Sequence, residues 1–539
     1  MSSEASPQPA GSGRAPVLAA MVSASLATIL VLSGVTGRGQ RLVRDFVAVP
    51  EPVAPQSLLP TTAAELRAWP LDAVSWAASA VVPTGVQQQL LLVAALALAG
   101  IGTGLVVRRA GAAAAASAAW LAVWNPYVTE RLLLGHGPTL LGYASLPWII
   151  LVLRSNLRPA HRMVLLVVVA IPAALTPWGS VMALVTAVLA DLSRGDRSAA
   201  RAAGVAAVGA AWCLPWALPA VLVGGVPADP DGPVAFALAD DSGLGPWASA
   251  LMGGGVWATG ARPLSRSDPI ALASSLALLG CAVAAVVGLA LAARRAGSKS
   301  RPAMTAAVVS LVLLVGPSTV GWWASGPGLE VMSALQQVPG MALFRDQHRM
   351  LAPGVLTLAV LVGLAVGWVA RHGGRTASGL GCVLVVALSV ASVPDLPSSV
   401  RADYRAVTYP ADWADAVSSL DDGSTAPTVL SLPWQPLRAP GWAGDPPFLD
   451  PLPRAVRGTV LTSTELTVQR DGRTIVVDDA PLGEDWADGS VTSDSLRRHG
   501  VTHVMEWLGS PGALARSRDG WRLVHSGPSF TVWDVTAAR

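Results

Sequence analysis

The chain has 539 residues, of which 52% are hydrophobic and only 13% are charged. Soluble domains carry about 25% charged residues, so this composition argues against a soluble protein and indicates one with many membrane spans. The formal net charge of +3, from 37 basic and 34 acidic residues, predicts no nucleic-acid partner.

Eleven apolar runs in the sequence approach the length of a membrane helix, which needs roughly 17–25 residues. They cover 15–36, 86–107, 110–125, 138–153, 163–176, 179–192, 202–223, 269–293, 303–322, 353–370 and 376–394. The first run is too long for the core of a signal peptide, and it follows a Ser/Pro/Gly-rich segment, 1–14, that we expect to be a disordered cytoplasmic N-terminus. The runs predict a mainly α-helical, polytopic membrane domain over 15–394 with about eleven transmembrane helices.

The distribution of arginine and lysine predicts the orientation of these helices, because cytoplasmic loops carry an excess of both. The connections that we assign to the cytoplasm hold fifteen positive residues and only three acidic ones. The loops on the other side are longer and mix both signs. We therefore predict a multi-pass protein of the cytoplasmic membrane, with its N-terminus inside and its C-terminus outside.

From residue 395 onward no run is long enough to span a membrane, and charged residues reach their usual frequency. Segments rich in β-branched and aromatic residues predict strands at TVLSLP, RTIVVDD, VTHVMEW and FTVWDV. Short helices are predicted at PADWADAVSSLDDG and SDSLRRHG. The sequence therefore predicts an extracytoplasmic α/β domain over 395–539.

The first outer loop, 37–85, places Asp45 and Glu51 directly after the first apolar run. A carboxylate beside lipid is costly to keep, which favours a functional reading. Asp45 is suited to act as general base on an acceptor hydroxyl, or to bind a divalent cation that neutralises a leaving phosphate. The alternative is a solvated loop with ordinary surface charges. No cofactor follows from the sequence, and a divalent cation stays open.

The second outer loop, NPYVTERLLLGHG, holds Glu130, Arg131 and His136. A helix that resumes after Pro126 favours Glu130 near its positive N-terminal end. These residues are candidates for substrate contact. A plain surface pair between Glu130 and Arg131 is the alternative, and such a pair stabilises by less than about 1 kcal/mol.

A third charged string, FRDQHRM, precedes a late apolar run and contains Arg345, His348 and Arg349. If the string is helical, the two arginines are four residues apart and project from one face. Guanidinium groups at that spacing suit a phosphate or diphosphate, and His348 adds a donor. The alternative is a helix end anchored to lipid headgroups.

Asp45 after the first run, WNPYVTERLLLGHGPTLLGYASLPW at 124–148 and PGMALFRDQHRM together resemble actinobacterial GT-C-type membrane proteins. They are similar to the membrane portion of mycobacterial arabinofuranosyltransferases and, more distantly, to YfhO-like membrane proteins. The resemblance implies a polyprenyl-phosphate sugar donor and an envelope glycan or lipid acceptor. GT-C enzymes carry an acidic residue in the first outer loop, which here falls on Asp45. Many members have two adjacent acids, whereas Arg44 precedes Asp45 here, which favours a base that works without a metal.

We therefore expect a membrane glycosyltransferase with Asp45 as catalytic base and with Arg345 and Arg349 on the donor phosphate. Two other classes stay open. A lipid-linked glycan transporter or flippase predicts ionisable residues within the spans, and most runs here have none. A non-catalytic scaffold of envelope assembly would bind partners through its outer domain. No Walker A or GxSxG motif with triad partners is present, so ATP-driven transport and hydrolysis of the soluble type have little support.

The predicted orientation is tested with reporters fused after Arg539. A reporter that is active only outside the cytoplasm should work at this position, because the cytoplasmic loops hold most of the positive charge. Activity of a cytoplasm-only reporter at the same position would mean that the number of spans differs from eleven by an odd number.

Overall fold

A computed structural model describes residues 13–536, except for 56–58, 61, 63–64, 67–68, 195–197, 225–227, 296–300, 422–425, 471, 480–481 and 483–485. Residues 1–12 of the segment that was predicted to be disordered lie outside the described residues, and the first helix begins at Arg14. Helices dominate up to residue 392, and the strands follow residue 427. The prediction of a mainly helical part followed by a strand-containing part is therefore confirmed.

The helices of the first part are connected by loops and by short 3₁₀ turns. They are α1 Arg14–Val31, α2 Leu71–Ser79, α3 Thr84–Val106, α4 Ala112–Val123, α5 Pro126–Leu133, α6 Gly137–Leu153, α7 Pro159–Ala174, α8 Pro177–Leu192, α9 Ala199–Leu222, α10 Gly232–Ala235, α11 Pro246–Leu251, α12 Pro269–Arg295, α13 Arg301–Ala324, α14 Leu329–Gln336 and α15 Ala352–Ser392. Gly374, with φ of 76°, interrupts α15, so this element consists of two helices end to end.

Each predicted apolar run coincides with one of these helices or with half of α15. In the described part of the chain, six helices are long and apolar enough to cross a membrane, namely α1, α3, α9, α12, α13 and α15 with the turn that precedes it. Three shorter apolar helices, α6, α7 and α8, accompany them. The protein is therefore a multi-pass membrane protein, whereas the number of eleven spans stays a prediction.

Helix α4 lies at the centre of the bundle and packs against α1, α3 and α15. Small residues make this close approach feasible, as they do between membrane helices in general. A methyl group added at Gly100 or Gly104 of α3 would lie 2.7 or 2.6 Å from an alanine Cβ of α1. One added at Gly363 of α15 would lie 2.8 Å from a backbone oxygen of α4. The alanines and glycines therefore allow the four helices α1, α3, α4 and α15 to pack at short distances.

The second part contains the helices α16 Leu396–Asp403, α17 Trp413–Ser418 and α18 Ser493–Arg498. Its strands are β1 Thr428–Leu432, β2 Leu437–Arg438, β3 Phe448–Leu449, β4 Thr459–Leu461, β5 Glu465–Arg470, β6 Arg473–Asp478, β7 His503–Trp507, β8 Arg522–Ser526 and β9 Phe530–Asp534. The four predicted strand segments correspond to β1, β6, β7 and β9, and the two predicted helices correspond to α17 and α18.

The main sheet has the strand order β4-β1-β7-β9-β8. Strands β4, β1 and β7 are parallel, and β9 runs antiparallel to both β7 and β8. Strands β5 and β6 form a separate antiparallel hairpin. Val468 and Val477 of this hairpin pack against Phe236, which belongs to the loop between α9 and α12 of the helical part.

A tight turn at residues 43–46 lies between the two parts and carries Asp45. The backbone N–H and C=O groups of Val43 and Phe46 exchange two hydrogen bonds, of 3.1 and 2.7 Å. Arg44 has a positive φ of 46°, which is uncommon for a residue with a side chain. Its backbone N–H donates to Pro447 and its carbonyl accepts from Leu449, at 3.1 and 2.8 Å. The strand-containing part therefore fixes the backbone of this turn.

Gly135 holds the other side of the turn. It has a φ of 74°, and a Cβ at this position would lie 2.1 Å from the carbonyl oxygen of Val43 and 2.7 Å from the backbone nitrogen of Phe46. Only a residue without a side chain fits both the left-handed conformation and the close approach. The loop between α5 and α6 can therefore lie directly on the turn that presents Asp45.

The Gly135→Ala variant tests this contact. We expect it to lower the midpoint of thermal unfolding in detergent well below that of Gly224→Ala. Gly224 has a similar φ of 80° but no atom within 4 Å of an added Cβ, so its substitution isolates the left-handed strain, about 1–2 kcal/mol. Equal midpoints for the two variants would contradict the packing of Gly135 against the turn.

Candidate active site

Four side chains from three distant segments form one hydrogen-bonded chain at the turn. Asp45 Oδ2 lies 2.9 Å from His136 Nε2. His136 Nδ1 lies 3.0 Å from Arg131 Nη1, which donates to Asp346 Oδ2 at 2.7 Å. The first, second and third charged strings of the sequence therefore meet at one place.

The short helix α5 positions the middle of this chain. Asn125 caps it, since its side-chain oxygen accepts a hydrogen bond of 2.9 Å from the backbone N–H of Val128. Pro126 occupies the first helical position, where its missing N–H costs nothing. All eight residues of α5 are buried, and His136 follows as the residue before α6. The NPYVTERLLLGHG segment therefore directs Arg131 and His136 inward rather than to a surface.

The proton of the neutral His136 ring is assigned by its neighbours. Arg131 can only donate, so Nδ1 accepts a hydrogen bond from Arg131. The ring hydrogen is therefore on Nε2, which donates a hydrogen bond to Asp45. Burial, followed by the charge of Arg349, lowers the pKa of His136 to about 4. The ring is therefore neutral at neutral pH, and it holds the Asp45 carboxylate in a fixed orientation.

The carboxylate of Asp45 is the exposed end of this chain, because half of its side-chain surface, 50%, remains accessible. Partial burial raises the pKa of Asp45, but the hydrogen bond from His136 and the charge of Arg349 outweigh it and keep that pKa below its usual value. Asp45 is therefore ionised at neutral pH and open to a ligand.

Arg349 lies beside Asp45 and is 23% exposed. Its Nε donates to Asp346 Oδ2 at 3.0 Å, and its Nη2 lies 3.2 Å from His136 Nε2, which carries the ring hydrogen and therefore does not accept from it. Asp346 thus accepts from two arginines, and they hold the pKa of its carboxyl well below the usual range in spite of burial. Asp346 was not among the residues predicted to form the site, although it lies within the FRDQHRM string.

Arg345 does not join Arg349 on one face. The string does not form an α-helix: it consists of the 3₁₀ turns Met341–Phe344 and Gln347–Leu351, with Arg345 between them. Its Nη1 contacts both carboxylate oxygens of Asp479, at 2.6 and 2.7 Å, and its guanidinium lies over the Phe236 ring. Arg345 therefore connects the helical part to the segment after β6, and Arg349 faces Asp45 without it.

Glu130 and His348 belong to a second, fully buried cluster. His348 Nε2 lies 2.9 Å from Glu130 Oε2, which accepts from the backbone of Val256 at 3.0 Å. Burial, together with the neighbouring Asp241, raises the pKa of Glu130 well above its usual value. Asp241 is paired with Arg266 at 3.0 Å. This cluster anchors the segment between α9 and α12 to α5, and the sequence predicted neither Asp241 nor Arg266.

Glu51 is exposed and forms no ion pair with any described residue. Within the described residues, no group of three or more His, Cys, Asp or Glu side chains is arranged to hold a metal ion. The side chains around Asp45 are instead Arg349, Arg131 and His136. Among the described residues, the guanidinium groups of Arg349 and Arg454 bring positive charge close to the Asp45 carboxylate.

The fold of the chain is similar to that of AftD, an arabinofuranosyltransferase from Mycobacteria. The TM-score is 0.59 at 15% sequence identity, over 98% of this chain and 40% of that chain. A mutant form of the same enzyme gives a TM-score of 0.51 at 16% identity, over 98% and 42%. An oligosaccharyltransferase from Archaeoglobus fulgidus gives 0.45 at 11% identity, over 91% and 69%.

No protein-family model and no curated protein matches the sequence significantly. The chain spans about two-fifths of the length of the arabinofuranosyltransferase, 40%. The similarity to YfhO-like proteins stays a prediction. At the level of fold, the predicted resemblance to GT-C-type membrane glycosyltransferases such as the mycobacterial arabinofuranosyltransferase is confirmed.

Proposed function

We propose that the protein is a glycosyltransferase that acts at the outer face of the cytoplasmic membrane, with a polyprenyl-phosphate sugar as donor. The observation that carries the proposal is the half-exposed, ionised Asp45, which His136 orients at 2.9 Å beside Arg349. This arrangement lies in a chain with the fold of a membrane arabinofuranosyltransferase. The acceptor is an envelope glycan or lipid.

In the proposed reaction, Asp45 takes the proton of an acceptor hydroxyl. The hydroxyl oxygen attacks the anomeric carbon of the sugar, and the bond between this carbon and the phosphate oxygen breaks. Polyprenyl phosphate leaves with the electron pair of that bond. A carboxylate with a low pKa is a weak base, which suits a proton transfer that occurs late, when the positive charge on the sugar has already developed.

The leaving phosphate gains negative charge during this step, and fixed positive charge stabilises it most in a site that excludes water. Arg349 is placed for this task, because it is partly exposed while its Nε remains bound to Asp346 at 3.0 Å. Arg131 and Glu130 are fully buried, so we assign them to positioning rather than to substrate contact. Arg345 serves to attach the segment after β6.

The Asp45→Asn variant tests the base. We expect the rate of transfer from a polyprenyl-phosphate sugar to fall 10²–10⁴-fold, roughly the contribution of a general base, with little change in thermal stability. The control is Glu330→Gln, which neutralises an exposed carboxylate at the start of α14 and should keep wild-type transfer. Wild-type transfer by Asp45→Asn would contradict the role of Asp45. Donor binding by the wild type without any turnover would favour the scaffold alternative.

The His136→Gln variant tests the neutral ring. The unfolded chain protonates this histidine near pH 6.5, whereas the folded protein does so only near pH 4. The wild type should therefore lose stability as the pH falls from 6.5 to 4, because the unfolded state binds one more proton there. Glutamine can accept from Arg131 and donate to Asp45 but does not titrate in this range.

We expect His136→Gln to retain measurable transfer and to show a smaller fall in the unfolding midpoint between pH 6.5 and 4 than the wild type. The His161→Gln control removes an exposed histidine of α7 and should leave the pH dependence unchanged. If His136→Gln follows the wild-type pH dependence, the buried ring is protonated in the folded protein and the assigned hydrogen bonds are wrong.

A further inference from the structure

We propose that Arg454, in the strand-containing part, is a second phosphate-binding residue of the candidate active site, in addition to Arg349. The ligand is the phosphate group of the lipid donor. The inference rests on the proposed function and adds to it, because it makes the strand-containing part a component of the site. The inference is based on the position of the Arg454 guanidinium near Asp45 and on the hydrogen bonds of its three nitrogens.

The segment that carries Arg454 runs alongside the turn of Asp45. Its residues 447 and 449 form the two backbone hydrogen bonds with Arg44, at 3.1 and 2.8 Å. Five residues after β3, the carbonyl of Arg454 accepts from the backbone N–H of Val53 at 3.0 Å. The first outer loop is thus attached to this segment both before and after Asp45, and Arg454 lies near enough to the carboxylate for its charge to act on it.

The guanidinium of Arg454 has an unused end. Its Nε lies 3.1 Å from Asp72 Oδ2 and 3.3 Å from Asp72 Oδ1. Neither Nη group has a hydrogen-bond partner among the residues that the structure describes, and neither is enclosed, since the side chain is 21% exposed. The ion pair with Asp72 thus orients the group, and its two terminal nitrogens remain available in the geometry that suits a phosphate.

Other arginines near the turn lack this availability. Arg131 is fully buried. Arg44 uses one terminal nitrogen on Leu133 and Asp403 and the other on Gly260, and Arg345 is bound to Asp479. By contrast, Arg349 is 23% exposed and binds Asp346 through its Nε, and its two terminal nitrogens have no acceptor in the described part of the chain. Two partly exposed arginines, one from each part of the chain, therefore have their charges close to Asp45 and their terminal nitrogens without a described acceptor.

A phosphate at this site needs more than one arginine. The ionised Asp45 repels an anionic ligand, and the charge of Arg349 is already shared with Asp346 at 3.0 Å. The attraction of a single, partly neutralised guanidinium would be offset by that repulsion. Arg454 supplies the additional positive charge, and its field already acts on the Asp45 carboxylate, whose pKa it helps to lower.

The test measures binding rather than transfer. The probe is farnesyl monophosphate in detergent micelles, with farnesol as the uncharged lipid of equal chain length and inorganic phosphate as the free anion. We expect Arg454→Ala to weaken the binding of farnesyl monophosphate at least tenfold and to leave the binding of farnesol unchanged. Arg454→Lys should restore part of the affinity, because lysine keeps the charge but not the fork.

Two further variants separate a ligand contact from a structural role. Asp72→Asn removes the negative charge but keeps a side-chain oxygen that can accept from the Nε of Arg454 and orient it, so it should bind farnesyl monophosphate as tightly as the wild type or more tightly. Arg522→Ala removes an exposed, ion-paired arginine of the same part, far along the chain, and should have no effect. Inorganic phosphate should compete with farnesyl monophosphate if the phosphate group itself is recognised.

The proposal is overturned if Arg454→Ala binds farnesyl monophosphate normally. It is also overturned if Asp72→Asn loses the same affinity, because the loss would then come from the broken ion pair and not from a contact with the ligand. An equal fall in the binding of farnesol to Arg454→Ala would overturn it as well. Failure of the proposed function would give a different result from failure of this inference. Arg454-dependent binding without sugar transfer would contradict the glycosyltransferase, whereas Asp45-dependent transfer that is normal in Arg454→Ala would contradict only this inference.

Discussion

The burial of one guanidinium, that of Arg131, is the constraint on which the candidate site depends. A buried charge is tolerated only when it is paired, and leaving it unpaired costs several kcal/mol. Arg131 obtains its partners from two other segments, Asp346 at 2.7 Å and His136 at 3.0 Å. Its Nε and Nη2 atoms have no partner in the described part of the chain. Assembly of the bundle and assembly of the site are therefore one process.

The same pairing explains how charge is distributed across the site. The neutral state of His136 follows from burial and from the arginines around it. The single N–H of this neutral ring donates a hydrogen bond to Asp45. Asp346 carries the negative charge that balances Arg131 and Arg349. As a result, Asp45 keeps its own charge for a ligand, although the His136 ring lies only 2.9 Å away.

The sequence allowed the helical and strand-containing parts to be predicted. It also singled out Asp45 and the charged strings as candidates, because charged residues beside long apolar runs are conspicuous, and the structure brings several of these residues together. The sequence did not allow the partners within the site to be predicted. The pairing of Arg345 with Asp479 joins residues 134 positions apart, and the FRDQHRM string follows 3₁₀ turns rather than an α-helix. Asp241 and Arg266 were missed because their loop shows no periodicity that would place them against Glu130.

The turn that carries Asp45 also determines when this protein acquires its site during synthesis. The backbone groups of Arg44 find their partners at Pro447 and Leu449, about four hundred residues later in the chain. Until that segment has been synthesised, the N–H and C=O groups of Arg44 lack these two partners, and only the hydrogen bonds of the turn itself and its contact with Gly135 support the left-handed conformation. The membrane helices can therefore be in place while Asp45 is not yet fully held in position, and the candidate site is complete only after the strand-containing part has folded onto the segment between α1 and α3.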